Sequence, residues 1–202
     1  MNTESKKSLK RNSRMRGFTM LELLIVLVVM MIVTAISMPS FLRIMRIYQL
    51  NDAATQVAGV LKFTRYEAIR VNVPAATPLT TRILQSAAGT NIFTDSNNSG
   101  TVQNTEKQIL FSRNVNLVSA GTPPNTAGLA AAAGVPALTN VSLTNGSIAF
   151  DHRGALAPAA VNVLYVGNLA LPNLGDRAVI VLPSGSIQIW STDASGNWHQ
   201  LN

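Results

Sequence analysis

Glu22 is a single carboxylate near the start of an otherwise apolar run that extends over residues 18–38. An acidic group in hydrocarbon costs roughly 3 kcal/mol or more, so such a residue usually marks function. Six cations precede it, Lys6, Lys7, Lys10, Arg11, Arg14 and Arg16, opposed by Glu4 alone. One glycine, Gly17, separates that basic segment from Phe18, where the apolar run begins.

Other residues have spacings that could do chemistry. Asp95, Asn97, Ser99, Gly100 and Glu106 fall at positions 1, 3, 5, 6 and 12 of a calcium loop. Serine at position 5 and only two carboxylates imply weak binding. Asp, Asn, Ser and Gly are also turn formers, so the stretch reads equally as a polar hairpin tip. No other cofactor or metal is implied. The histidines, His152 and His199, stand in no metal-ligand spacing, and no Gly-x-Ser-x-Gly or phosphate-binding loop occurs. The chain therefore does not read as an enzyme. Arg113, Arg153 and Arg177 are the candidates for a nucleic-acid surface, but no basic run joins them, which argues against nucleic acid as a partner.

The elements that must position these groups follow from periodicity. Residues 18–38 form a helix of about 30 Å at about 1.5 Å per residue, one hydrocarbon core. The cations before it keep the N-terminus cytoplasmic. An A-x-A-like cleavage site of an ordinary signal peptide has only a poor match at Ala35-Ile36-Ser37, and such a peptide has no use for Glu22. The net charge of +7 is mostly topological: from Phe18 on, ten Lys/Arg face eight Asp/Glu. No cysteine is present, so burial rather than disulfides must hold any domain together.

Past Pro39, a kink position, Phe41, Met45, Tyr48, Leu50, Ala54, Val57, Leu61 and Ala68 recur at helical spacing. That pattern predicts an amphipathic continuation over 39–72, ended by Val73-Pro74. From Thr80 the period shortens. Strands are expected at 80–85, 90–93, 108–111, 115–118, 141–143, 147–150, 161–166, 178–182 and 187–190, with a hairpin turn at Pro183-Ser184-Gly185-Ser186. The Ala, Gly, Pro and Thr-rich stretch 119–140 is expected to be a surface loop. The fold class is α+β: a long hydrophobic N-terminal helix, transmembrane then amphipathic, packed on a β-rich, mostly antiparallel domain over 73–202.

Gly17-Phe18-Thr19-Met20-Leu21-Glu22 resembles the processing site of type IV pilins and type II secretion pseudopilins. The basic leader 1–17, the apolar helix and Pro39 also fall where that family has them. The resemblance implies cutting after Gly17 by a prepilin peptidase, N-methylation of Phe18, and Glu22 as the fifth mature residue. It further implies a bacterial inner-membrane protein with a periplasmic domain. Its partners would be other pilins or pseudopilins, reached through the N-terminal helix, and an inner-membrane assembly platform. Glu22 would then meet the free amine of its own or a neighbour's Phe18, because a buried carboxylate costs less beside a cation.

Looser motifs resemble the group of pseudopilin H and the T-type fimbrial minor pilins: Tyr66-Glu67-Ala68-Ile69-Arg70, the 92–100 turn with Glu106, Ile148-Ala149-Phe150-Asp151-His152-Arg153-Gly154, and Val181-Leu182-Pro183-Ser184-Gly185. They imply a minor subunit of a secretion pseudopilus or, alternatively, a minor pilin that primes pilus assembly or binds DNA. The Gly-Arg-x-Arg element of some DNA-uptake members is replaced here by Gly185-Ser186-Ile187-Gln188.

Overall fold

The computed structural model describes residues 17–74, 76–86, 89–111, 115–118, 126–141, 146–171, 174–193 and 195–201. The leader up to Arg16, Arg113, residues 119–125 and most of the expected strand at 141–143 lie outside them. The chain divides into two units, Met1–Leu42 and Arg43–Asn202.

Helix α1 spans Met20–Val71 and includes Pro39. Within the first unit its apolar side chains are exposed on every side, Leu23, Leu24, Val26, Val28, Met30 and Ile32 among them. A helix apolar all round is at rest only in hydrocarbon or among other apolar helices. The Thr34 hydroxyl donates to the Met30 carbonyl at 2.7 Å. That bond hides a polar group which lipid would otherwise leave without a partner.

In the second unit α1 becomes one-sided. Leu50, Ala53, Ala54, Val57, Ala58, Val60, Leu61, Thr64 and Ala68 are buried. Leu50, Ala54, Val57, Leu61 and Ala68 are the expected stripe; Phe41, Met45 and Tyr48, which share its spacing, are exposed. The helix ends in a Schellman arrangement: Asn72 takes a φ of 51°, its N–H donates to the Ile69 carbonyl, and the Val73 N–H donates to the Ala68 carbonyl. Asparagine tolerates that left-handed backbone, and Pro74 cannot continue a helix.

Two sheets receive the stripe. The first has the order β3-β2-β1-β6, built from β1 (Leu79–Ser86), β2 (Gly89–Asp95), β3 (Gln108–Phe111) and β6 (Ser147–Phe150). The second has the order β10-β9-β8-β7-β4, built from β4 (Val115–Leu117), β7 (Asn162–Asn168), β8 (Arg177–Val181), β9 (Ile187–Thr192) and β10 (Trp198–Leu201). A short β5 (Thr139–Asn140) runs parallel to β7; the pairs along both sheet orders are antiparallel.

One core joins the α1 stripe to Ile83, Ile92, Phe111, Ile148 and Phe150 of the first sheet and Leu164, Val166, Val179 and Val181 of the second. The opposite face of the second sheet carries its own core of Val163, Tyr165, Ala178, Ile180, Trp190 and Trp198, closed by Leu129. Leu129 belongs to α2 (Thr126–Ala132), inside the stretch read as a surface loop. A seven-residue helix of Thr, Ala, Gly and Leu shows no readable period, so its apolar anchor was not legible. Strand β10 was also missed, and β5 pairs two residues earlier than the expected strand at 141–143.

Two turns flagged as motifs meet at one corner. Arg65 Nε donates to the Gly154 carbonyl at 3.0 Å. Gly185, at φ 77°, lies so close that a Cβ there would sit 1.8 Å from the same oxygen. Only glycine serves at that point.

Candidate functional site

Gly17, Phe18 and Thr19 precede α1 and are exposed, Phe18 to 79 %. A Cβ at Gly17 would meet nothing within 4 Å among the described residues. Thr19 starts the helix. Its hydroxyl accepts the Glu22 N–H at 3.2 Å and its carbonyl accepts the Leu23 N–H at 3.1 Å. Threonine at the N-cap with glutamate three residues on is the capping-box pattern. The reading of Glu22 as an oddity in a membrane span overlooked this, although Thr19-x-x-Glu22 is plain in the sequence. Glu22 is also the acidic residue of the first turn, where the helix dipole favours negative charge. The Gly17–Phe18 bond therefore ends one residue before a capped helix, and the Glu22 carboxylate lies on the first turn of that helix.

The 95–106 segment is a turn built on its own carboxylates. Asp95 is fully buried. Its Oδ1 accepts the Ser99 N–H at 2.9 Å, and its Oδ2 accepts the Gly100 N–H at 2.9 Å together with Arg82 Nε at 2.5 Å. Glu106 accepts the Ser96 N–H through Oε1 and the Gln103 N–H through Oε2. Asn97 Oδ1 accepts the Ser99 N–H at 3.1 Å. A guanidinium thus already neutralises the carboxylate that a cation would need most, and the donors close a β2–β3 connection. The Arg82 guanidinium on Asp95 weighs against calcium at this turn. Among the described residues no three His, Cys, Asp or Glu side chains gather as a metal site.

Arg113 lies outside the described residues, and the other two candidate arginines, Arg153 and Arg177, are not both on the surface. Arg177 is 5 % exposed, its Nε donates to Asn51 Oδ1 at 2.6 Å, and its Nη1 donates to the Asp176 carbonyl. This corrects its reading as a candidate for a nucleic-acid surface: it ties α1 to β8. Arg153 is exposed on the turn held by Asp151, whose Oδ1 accepts the Arg153 and Ala155 N–H groups. Those bonds, and the charges of His152 and Arg153 close by, hold the Asp151 carboxyl below the usual range against its desolvation. His152 lies on the same turn, and exposed His199 meets Asp193 at 3.4 Å. The Ser191 hydroxyl meets the His199 carbonyl, not its ring.

Residues 12–38 match the family model of the prokaryotic N-terminal methylation motif. No curated protein sequence matches the chain. Among solved structures it is similar to the type IV minor pilin FimU of Pseudomonas aeruginosa (strain PAO1), at 12 % identity and a TM-score of 0.47, over 77 % of this chain and 94 % of that one. The methylation motif thus leads a long apolar helix whose second half lies on antiparallel sheets.

Proposed function

We propose that this protein is a minor pseudopilin, a structural subunit of a type II secretion pseudopilus, whose work is assembly rather than catalysis. The observation that carries the reading is a Gly17–Phe18 bond directly before a capped apolar helix, with Glu22 at the fifth mature position. The cations before Gly17 hold the N-terminus in the cytoplasm, and the second unit lies in the periplasm. A prepilin peptidase hydrolyses the Gly17–Phe18 amide and frees the Phe18 amine, which is then methylated. The apolar stretch leaves lipid for a bundle of like helices, where a free carboxylate would be costly. Pairing Glu22 with the Phe18 amine of a neighbour offsets that cost and sets the axial step. Burial of Arg177 supports assembly over DNA binding, since it leaves Arg153 as the one exposed member of that candidate set among the described residues.

Two variants separate pairing from capping. Glu22→Gln keeps a capping-box residue type but removes the charge, whereas Glu22→Ala removes both. The expected result is that each leaves the subunit in the inner membrane and absent from sheared filaments. Incorporation of Glu22→Gln at the wild-type level would contradict the pairing. Deletion of the gene should stop exoprotein secretion and leave pili intact. Lost piliation with secretion unchanged would move the protein to the type IV pilus.

A further inference from the structure

Two contacts fix the direction of the strands along the second half of α1. Arg177, at the start of β8, bonds Asn51, and Gly185, past the end of β8, lies against Arg65, where a Cβ would be 2.7 Å from Nε. Strand β8 therefore runs with α1 and β7 runs against it. The β7–β8 connection points back toward Arg43, the first residue of the second unit. From Asn51 to Arg43 the helix descends about 12 Å at about 1.5 Å per residue. Val166 pairs with Arg177, and the strand carries Asn168 about 7 Å further in the same direction at about 3.3 Å per residue. Leu169, Ala170 and Leu171 thus begin about 5 Å from the level of Arg43, roughly one helical turn.

These three residues are exposed, Leu169 to 60 % and Leu171 to 39 %. Buried Asn168 shapes the loop that presents them. Its Oδ1 accepts the Ala170 N–H at 3.0 Å and the Leu171 N–H at 3.1 Å. Those donors are satisfied within the loop, so the loop can leave water without stranding them. The β9–β10 connection lies at the same end, because Thr192 bonds Asp176, yet it exposes Asp193, Ser195 and Asn197. On α1 itself, Arg43 and Tyr48 are exposed at this end, a cation and an aromatic of the kinds found where a helix leaves lipid.

We propose that Leu169 and Leu171 seat the second unit on the membrane, in the headgroup layer of the leaflet from which α1 emerges. The proposal rests on the reading of the apolar half of α1 as a membrane span, and it adds a second lipid contact outside that helix. Apolar side chains gain by entering the interfacial layer without crossing it. A domain held by one helix is free to turn about it, and interfacial anchors set tilt and rotation. A loop contact beside the helix therefore holds the stored subunit in one orientation.

The chain has no cysteine, so a single introduced thiol carries a fluorophore cleanly. Ala170→Cys, Ser184→Cys and Val29→Cys would be labelled on the full chain in phosphatidylethanolamine–phosphatidylglycerol vesicles. Each label is then quenched by aqueous iodide or by nitroxide-bearing lipid. Ser184 is exposed on the β8–β9 turn, at the opposite end of β8. The lipid quencher should reach the Val29 and Ala170 labels, and iodide should quench Ala170 several-fold less than Ser184. Leu169→Ser combined with Leu171→Ser should raise iodide quenching at Ala170 to the Ser184 level. The same double variant should keep the wild-type thermal midpoint, since both leucines are exposed. An Ala170 label as open to iodide as Ser184, beside a lipid-quenched Val29 label, would overturn the loop contact and leave the span standing. A Val29 label that the lipid quencher misses would sink the span and the proposal with it. Shielding that survives the double variant, or that arises only in sheared filaments, would assign the loop to a protein neighbour and overturn the lipid contact.

Discussion

Asp176 and Arg177 stand side by side at the start of β8, both nearly buried, Arg177 against Asn51 of α1 and the Asp176 carboxylate close to Gly167 of β7. Burial pushes the Asp176 carboxyl up to about 6, with the Arg177 charge pulling the other way. A carboxyl raised by folding binds its proton more tightly in the native state. Its contribution is complete below the unfolded value near 3.8 and is lost as pH rises through about 6. Melting temperature should therefore rise between pH 7 and pH 4.5, by an amount on the order of 2 kcal/mol of stability. Asp176→Asn should flatten that slope, and thermal melts of the full chain at several pH values check it. Asp193 works in a separate window. Hydrogen bonds from the Asn197 backbone and side chain lead in holding it down to about 2, so its contribution fails only as pH falls through about 2. At the 95–106 turn, Arg82 and the backbone donors occupy Asp95. Melts with millimolar calcium and with chelator should coincide; a calcium-dependent rise of several degrees would reinstate the loop as a cation site. Nothing in the order of residues disclosed the burial of Asp176 or Arg177, because a charged side chain before a strand usually faces water. Thr19 as a cap was legible and needed only its spacing to Glu22.

At the scale of elements, the sequence carried α1 and most strands because their periods are long enough to read. The stripe Leu50, Ala54, Val57, Leu61 and Ala68 met the sheets as its spacing required. Strands β7 and β8 were expected from 161–166 and 178–182 without any sign that both faces would be covered, and both are buried at every position. What covers the second face did not show. Helix α2 has one apolar anchor, Leu129, in a stretch whose composition reads as loop. Strand β10 follows a turn in which Asp193 gathers the Ser195 and Asn197 N–H groups, and it is too short to announce itself. The weight now placed on α2 is testable. Leu129 is fully buried in the core that holds Tyr165, Trp190 and Trp198. Leu129→Ala should cost about 2–4 kcal/mol and shift tryptophan fluorescence to the red. A stability within about 0.5 kcal/mol of wild type would mean that α2 does not close this face.

For the whole molecule, one helix serves two solvents. The α1 residues of the first unit expose apolar side chains on all sides, whereas residues 43–71 bury one stripe against the sheets and leave others, such as Ile44, Tyr48, Tyr66 and Ile69, exposed. The change from one regime to the other lies within a single helix, which is what a subunit stored in a membrane and later bundled through its helix requires. The central claim is that residues 1–17 are removed and the chain is built into a fibre from the new end at Phe18. Intact mass of the protein extracted from its native membrane tests this most directly. The account predicts a chain that begins at Phe18 and carries one added methyl group, with Gly17→Ala cut and a bulky residue at position 17 left uncut. A mature protein beginning near Ser37 or Pro39, or one that retains the leader, would contradict it.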